Sequence, residues 1–307
     1  MSVAVPSFTV DPLGPFNLAH SASFYERFRP AGQTRSRSSG AEPGASDGHH
    51  LDLAFMSDDG RAGGACVHQG PNDRVTIEPL GDADPCTVAD QVTRILSLDI
   101  DARTYPQVGQ RDPVIGRLMA ARRGMRQPCF ASPYEAAVWA VLSARSQQAQ
   151  AVAVRDRIIA VLGSSVEVHG QPRAVLPPPE MLAALEPVQG LASRKLEWLR
   201  GVGRAGADGL LDAARLRAVP ESEALDHLEC LGGIGAFSSR LILLRGAGHP
   251  DCRPVMRPQQ EVVRVAYGLD HTPSDAELDV VSQAWRPFRS WVQVLLRVSI
   301  DVPLRLH

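Results

Sequence analysis

The chain has 307 residues, enough for two or three domains around a sizeable core, and its 44% apolar and 21% charged residues are those of an ordinary soluble globular protein. There is no signal peptide and no apolar run of about 18 residues, which excludes a helical membrane span and predicts a cytoplasmic location. The five cysteines contain no Cys-x-x-Cys pair, so neither zinc nor an iron–sulfur cluster has a visible ligand set, and reduced thiols are expected.

The net charge of −2 hides an uneven distribution. Lys195 is the only lysine, so 31 of the 32 basic residues are arginine, and residues 115–205 carry 12 basic against 6 acidic side chains. That surplus suits an anionic partner, although an arginine-rich helical surface is equally compatible with plain solvation.

Residues 1–88 read as a small mixed α/β sheet domain. Val3, Val5, Phe8 and Val10, then Leu51, Leu53 and Phe55, then Arg74-Val75-Thr76-Ile77-Glu78, are strand-like runs between turns, with a helical candidate from Phe16 to Phe28. Gly32 to His50 is polar and Gly/Ser-rich and reads as a long mobile loop, its His49-His50 pair as neutral surface histidines rather than a metal site. From 89 to 307 the apolar spacing is helical. Val88–Leu96, Tyr134–Leu142 (capped by Ser132-Pro133), Ala149–Leu162, Arg194–Val202, Asp212–Leu216, Ala276–Trp285 and Ser290–Val298 are predicted helices. Leu176-Pro177-Pro178-Pro179 reads as a rigid linker before a short helix at Glu180–Leu185. The expected fold class is α+β, a small sheet domain followed by a larger all-α domain.

Within the helical part, residues 226–247 carry two helical patterns on either side of Gly232-Gly233-Ile234-Gly235. Glycine permits the positive φ of a tight turn and leaves the backbone bare, while Ile234 between the glycines can plug the core. The helix that follows starts with free N–H groups at a positive dipole end, a ready phosphate site. The same break could simply join two packed helices.

The glycine turn, Arg245-Gly246 with Asp251 five residues on, and Trp285-Arg286-Pro287-Phe288-Arg289-Ser290-Trp291 fall in an order and spacing that resembles helix–hairpin–helix DNA glycosylases. Ser132-Pro133-Tyr134-Glu135-Ala136 and Asp99-Ile100-Asp101 with Arg111-Asp112-Pro113 add to the likeness. The chain is most like the bacterial 3-methyladenine DNA glycosylase II branch, over nearly its whole length, since Pro15-Phe16-Asn17 to Phe28 resembles the start of that branch's N-terminal sheet domain. The resemblance implies domains at 1–88 and 89–307, the second two-lobed with its hairpin at about 220–247 and a lesion pocket between the lobes. It implies a partner, double-stranded DNA with alkylated bases, and a reaction, extrusion of an alkylated purine and hydrolysis of its N-glycosidic bond. Gly233, Ile234, Gly235 and Ala236 would hold a phosphate, with Arg145 filling the gap left by the flipped base or contacting phosphate. Phe24 and Phe237 would stack on the cationic base, although each taken alone reads as a core residue rather than a pocket residue. No nucleotide cofactor, membrane or metal is implied, a monovalent cation on the hairpin carbonyls being the one candidate ion. A nucleoid-associated cytoplasmic location follows.

Three departures stand out. The branch's catalytic aspartate closes a Pro-x-Asp-Asp pattern, whereas here Arg257 or Met256 holds that position. Glu261, one turn beyond Arg257 if a helix starts at Pro258, is the candidate for an anion that steadies oxocarbenium character on the sugar. Arg297 replaces a pocket tryptophan. Phe237 stands where bifunctional members carry their Schiff-base lysine, so a monofunctional enzyme acting on labile cationic alkylpurines is expected. The alternative is a catalytically weak or inactive lesion-binding protein on the same scaffold.

Overall fold

The computed structural model describes residues 6–27, 49–254 and 257–300. Val3, Val5, Met256 and most of the Gly32–His50 stretch lie outside the described residues. Strands β1 (Phe8–Val10), β2 (His49–Met56), β3 (Ala62–Gln69) and β4 (Val75–Gly81) form an antiparallel sheet in the order β1-β4-β3-β2. Three of these strands follow the expected runs. β3 does not announce itself, because Ala-Gly-Gly-Ala-Cys lacks the β-branched alternation that marks a strand. Its small residues serve close approach: a Cβ on Gly64 would sit 2.5 Å from the Leu53 carbonyl oxygen.

One face of the sheet is covered by α1 (Leu18–Arg27) and α2 (Pro85–Ile95). Asp84 caps α2 by accepting from the Thr87 N–H, and Pro85 pre-sets its first turn. Leu18, Tyr25, Val88, Val92 and Ile95 meet Leu51, Leu53 and Ile77 in a closed core. Thus α2, at the head of the helical pattern, packs on the sheet.

The helical body begins with α3 (Pro106–Arg111) and α4 (Pro113–Ala121), which turn about Asp112. Its carboxylate accepts the Val114 and Ile115 N–H groups, the Tyr267 hydroxyl and, at 3.0 Å, the Trp285 indole N–H. Helix α5 (Pro133–Ser143) is buried from Pro133 to Leu142 and forms the body's axis. Around it lie α6 (Gln148–Leu162), α7 (Pro179–Ala183), α8 (Ser193–Ala207), α9 (Ala213–Ala218), α10 (Glu221–Glu229) and α11 (Ala236–Leu241). The body closes with α12 (Arg257–Tyr267), α13 (Asp275–Ser282) and α14 (Arg289–Ser299). A hairpin that the sequence does not signal, β5 (Ser164–Val168) and β6 (Gln171–Val175), leaves this body and lies on the open face of the sheet. Among the described residues no helix is long and apolar enough to cross a membrane.

Two buried polar groups hold the sheet unit against the body. Arg126 donates to the carbonyls of Leu13, Gly14, Pro15, Ser97 and Ile100, with its guanidinium over the rings of Phe16 and Trp291. Glu135, in the first turn of α5, accepts the main-chain N–H groups of Met56 and Ala131 with Arg155 nearby. Burial is the dominant influence and pushes its carboxyl up to about 7. A raised carboxylic acid binds its proton more tightly in the folded state, so the stability it supplies is complete below about pH 4.5 and is lost as pH rises through about 7. The thermal midpoint should therefore fall between pH 5 and 8, and Glu135→Gln should flatten that slope by a free-energy difference on the order of 3 kcal/mol. An unaltered slope in differential scanning calorimetry would assign the proton elsewhere.

Candidate functional site

The glycine corner lies at the surface. Helix α10 ends at Glu229, Gly233 takes φ +82, and Ile234 turns inward to 5% exposure, while Gly235 and Ala236 face solvent. Trp198 of α8 is the floor: a Cβ on Gly232 or Gly233 would lie 2.5 or 2.6 Å from its indole, whereas one on Gly235 would meet nothing within 4 Å. Only glycine fits at the first two positions, for lack of room at both and for backbone sign at the second. Ser239 binds the corner's two helices together through its hydroxyl on Glu229, at 2.8 Å. Among the described residues nothing accepts from the N–H groups of Gly233, Gly235 or Ala236. These exposed donors sit where α11 starts, and the geometry suits an anion.

Phe237 is 48% exposed in the first turn of α11, which removes the core alternative for it. Past Leu241 the helix widens into a π-type turn over Ile242–Gly246, closed by the Ala247 N–H on the Ile242 carbonyl at 2.8 Å. This turn places Arg245 inside the protein. Its guanidinium lies over Phe24 at 4.6 Å and over Phe130 at 4.9 Å, and its Nε donates to the Pro128 carbonyl. Phe24 is half-buried at the seam between the sheet core and the helical core, its ring edge-on to Tyr25. It therefore already carries one cation on its ring.

Arg145 occupies the turn between α5 and α6 with φ +51 and an exposed side chain. The turn is stapled by Lys195, whose ammonium donates to the Leu142 carbonyl at 2.7 Å and the Ser146 hydroxyl at 2.8 Å. The chain's sole lysine thus presents an arginine. Arg145→Ala should weaken duplex binding modestly and lower the slope of log affinity against log salt by about 1, as loss of one phosphate contact would; an unaltered slope removes Arg145 from the interface.

Helix α12 starts at Arg257, close to the expected Pro258. The Arg257 side chain lies outside the described part of that helix. Glu261 is half-buried, gripped by Arg264 through Nε at 2.9 Å and Nη2 at 2.7 Å, and receives the Thr272 hydroxyl at 3.1 Å. Arg264 holds its carboxyl below the ordinary range, so it is an anion whose charge is answered locally. Asp251, the other neighbouring carboxylate, is committed to Arg289: two side-chain contacts at 2.8 and 3.0 Å and the Arg289 N–H at 3.1 Å fasten α14 to the segment after the hairpin. Arg297 is exposed on α14. Part of the arginine surplus of 115–205 is internal: Arg126 and Arg155 are buried, and Arg200 bonds the Leu185 carbonyl.

A helical body with a solvent-facing glycine corner, joined to an antiparallel sheet, defines a helix–hairpin–helix protein. No family model matches the sequence. The DNA-3-methyladenine glycosylase of Bacillus subtilis (strain 168) is 23% identical over 242 residues, spanning 73% of this chain and 78% of that protein. DNA-3-methyladenine glycosylase 2 of Escherichia coli (strain K12) is 26% identical over 209 residues, 66% and 70% of the two chains. Among solved structures, a 3-methyladenine DNA glycosylase from Archaeoglobus fulgidus superposes with a TM-score of 0.74 at 17% identity, over 95% of this chain and 97% of that one. In sequence and in fold the chain is similar to helix–hairpin–helix DNA glycosylases.

Proposed function

We propose that this protein is a monofunctional base-excision repair glycosylase that grips damaged duplex DNA at Gly233–Ala236, extrudes an alkylated purine and hydrolyses its N-glycosidic bond. The observation that carries this reading is the exposed corner with its three available N–H donors, set in a chain similar to 3-methyladenine glycosylases over about three-quarters of its length. A phosphate fixed there sets the register of the duplex; Arg145 then fills the gap and Phe24 with Phe237 flank the extruded base. A 3-alkyladenine or 7-alkylguanine is already cationic, leaves neutral and needs no proton, so extrusion and orientation supply most of the acceleration.

Glu261 is the nearest candidate anion after Arg257, but its charge is spent on Arg264. Glu261→Gln should therefore slow release of 7-methylguanine by less than about twofold and leave DNA affinity unaltered; slowing beyond about tenfold, roughly 1.4 kcal/mol, would make Glu261 the catalytic carboxylate. The deciding measurement is free-base release from duplexes carrying several N-alkylpurines, with spontaneous depurination followed in parallel. Arg257 in place of the superfamily aspartate favours a second reading, a lesion binder without catalysis. Tight lesion binding with release at the spontaneous rate would select it.

A further inference from the structure

His50, Asp52, Cys66 and His169 are far apart in sequence and bring one donor atom each to a single point, all four atoms within 4.8 Å of one another. We infer that this cluster is a structural zinc site that clamps the β5–β6 hairpin of the helical body onto the N-terminal sheet. It stands apart from the glycine corner and does not depend on the glycosylase reading.

Strand periodicity builds most of the cluster. His50 and Asp52 alternate onto one face of β2, and the antiparallel register sets Cys66 of β3 opposite Asp52. The fourth member comes from the other unit. His169 and Gly170 are the two turn residues of the β5–β6 hairpin, at φ +50 and +70, the pair of positive values that a tight hairpin turn demands. That turn lowers the His169 ring onto the sheet. The hairpin cannot drift sideways, because Val166 and Val168 pack with Ala54, Met56 and Cys66, and Val166 fills the space over Gly64 and Gly81.

Two of the donor separations match a tetrahedral ion and two are shorter. With Zn–N near 2.0–2.1 Å and Zn–S near 2.3 Å, neighbouring donors of a tetrahedral site are about 3.3–3.6 Å apart. The His169 Nε2 atom lies 3.4 Å from Cys66 Sγ, 3.5 Å from His50 Nε2 and 3.1 Å from Asp52 Oδ1. The His50 Nε2 to Asp52 Oδ1 pair, at 2.6 Å, must open as the ion binds, with the His68 ring stacked 4.4 Å from His50. Two imidazoles, one carboxylate and one thiolate are a borderline-soft set that suits Zn2+ and suits neither Ca2+ nor Mg2+. Asp52 and Cys66 are buried while His169 is open to solvent, so the site has a dry floor and an entry path.

The test uses the untagged full chain, stripped with a chelator and titrated with Co2+ and then Zn2+. One equivalent of cobalt should produce the visible absorption of a tetrahedral ion together with a thiolate charge-transfer band, and zinc should bleach both. Cys66→Ser should abolish the charge-transfer band. His169→Ala, at an exposed turn, should weaken zinc binding in chelator competition by more than about tenfold and abolish the zinc-dependent rise in thermal midpoint. A stripped chain that takes up no cobalt overturns the proposal, as does zinc uptake equal in the wild type and His169→Ala.

Discussion

Replacement of Gly235 by glutamate should leave the protein folded and cut its affinity for duplex DNA by tenfold or more. A Cβ there meets nothing, the backbone is in a region open to any residue, and an acidic side chain at the start of α11 is favoured by the helix dipole. The new carboxylate would then compete for the N–H groups that a phosphate needs. A lost charge-assisted hydrogen bond is worth about 1.5–3 kcal/mol, hence the tenfold floor. The matched variant Gly233→Ala should do the opposite. It forces a side chain into φ +82 and against Trp198 at 2.6 Å, at a cost of about 2–4 kcal/mol in stability. Fluorescence anisotropy with plain and N-methylated duplexes, beside thermal denaturation, separates the two. If Gly235→Glu binds DNA like the wild type, the corner is only a joint between helices.

The largest loss of stability should come from Arg126→Ala, about 4 kcal/mol or more. Five carbonyls would lose this donor, of which Leu13 keeps the Ala102 N–H; a carbonyl left unsatisfied costs about 1–3 kcal/mol, and the aromatic faces of Phe16 and Trp291 would lose the guanidinium between them. Burial lowers the Arg126 guanidinium to about 10, with Asp99 and Asp101 opposing, so it remains charged at neutral pH. Arg126→Lys should recover less than half of the loss, because a single ammonium cannot span acceptors spread from Leu13 to Ile100. A thermal midpoint within a few degrees of wild type for Arg126→Ala would mean that the sheet unit and the body are joined elsewhere.

Much of this was open to reading from the chain alone, for identifiable reasons. Gly232-Gly233-Ile234-Gly235 stands between two apolar helical runs, and Ser132-Pro133 marks the start of α5 by capping chemistry alone. Features made by contact across long separations were not. β3 is built from small residues whose role is to be approached, and the β5–β6 hairpin turns on His-Gly where Asn-Gly would have been the signal. Arg126 sits in a run of arginines, and nothing local separates the buried one from its exposed neighbour Arg123. His50 reads as a surface histidine until Asp52 and His169 are brought to its ring. Glu261 could have been paired with Arg264 at i,i+3 from spacing alone, which leaves nothing over for Arg257.

The π-type turn at Ile242–Gly246 has a geometric consequence of its own. It holds one residue more than an α-helical turn would, and Arg245 lies within it, over the Phe24 ring. Removing a single residue between the corner and Arg245 would swing everything downstream by about 100° around the axis. The angular phase between the glycine-corner end of this helix and the aromatic seam beneath it is therefore set by chain length, and insertions or deletions in this stretch should be far less tolerated than substitutions.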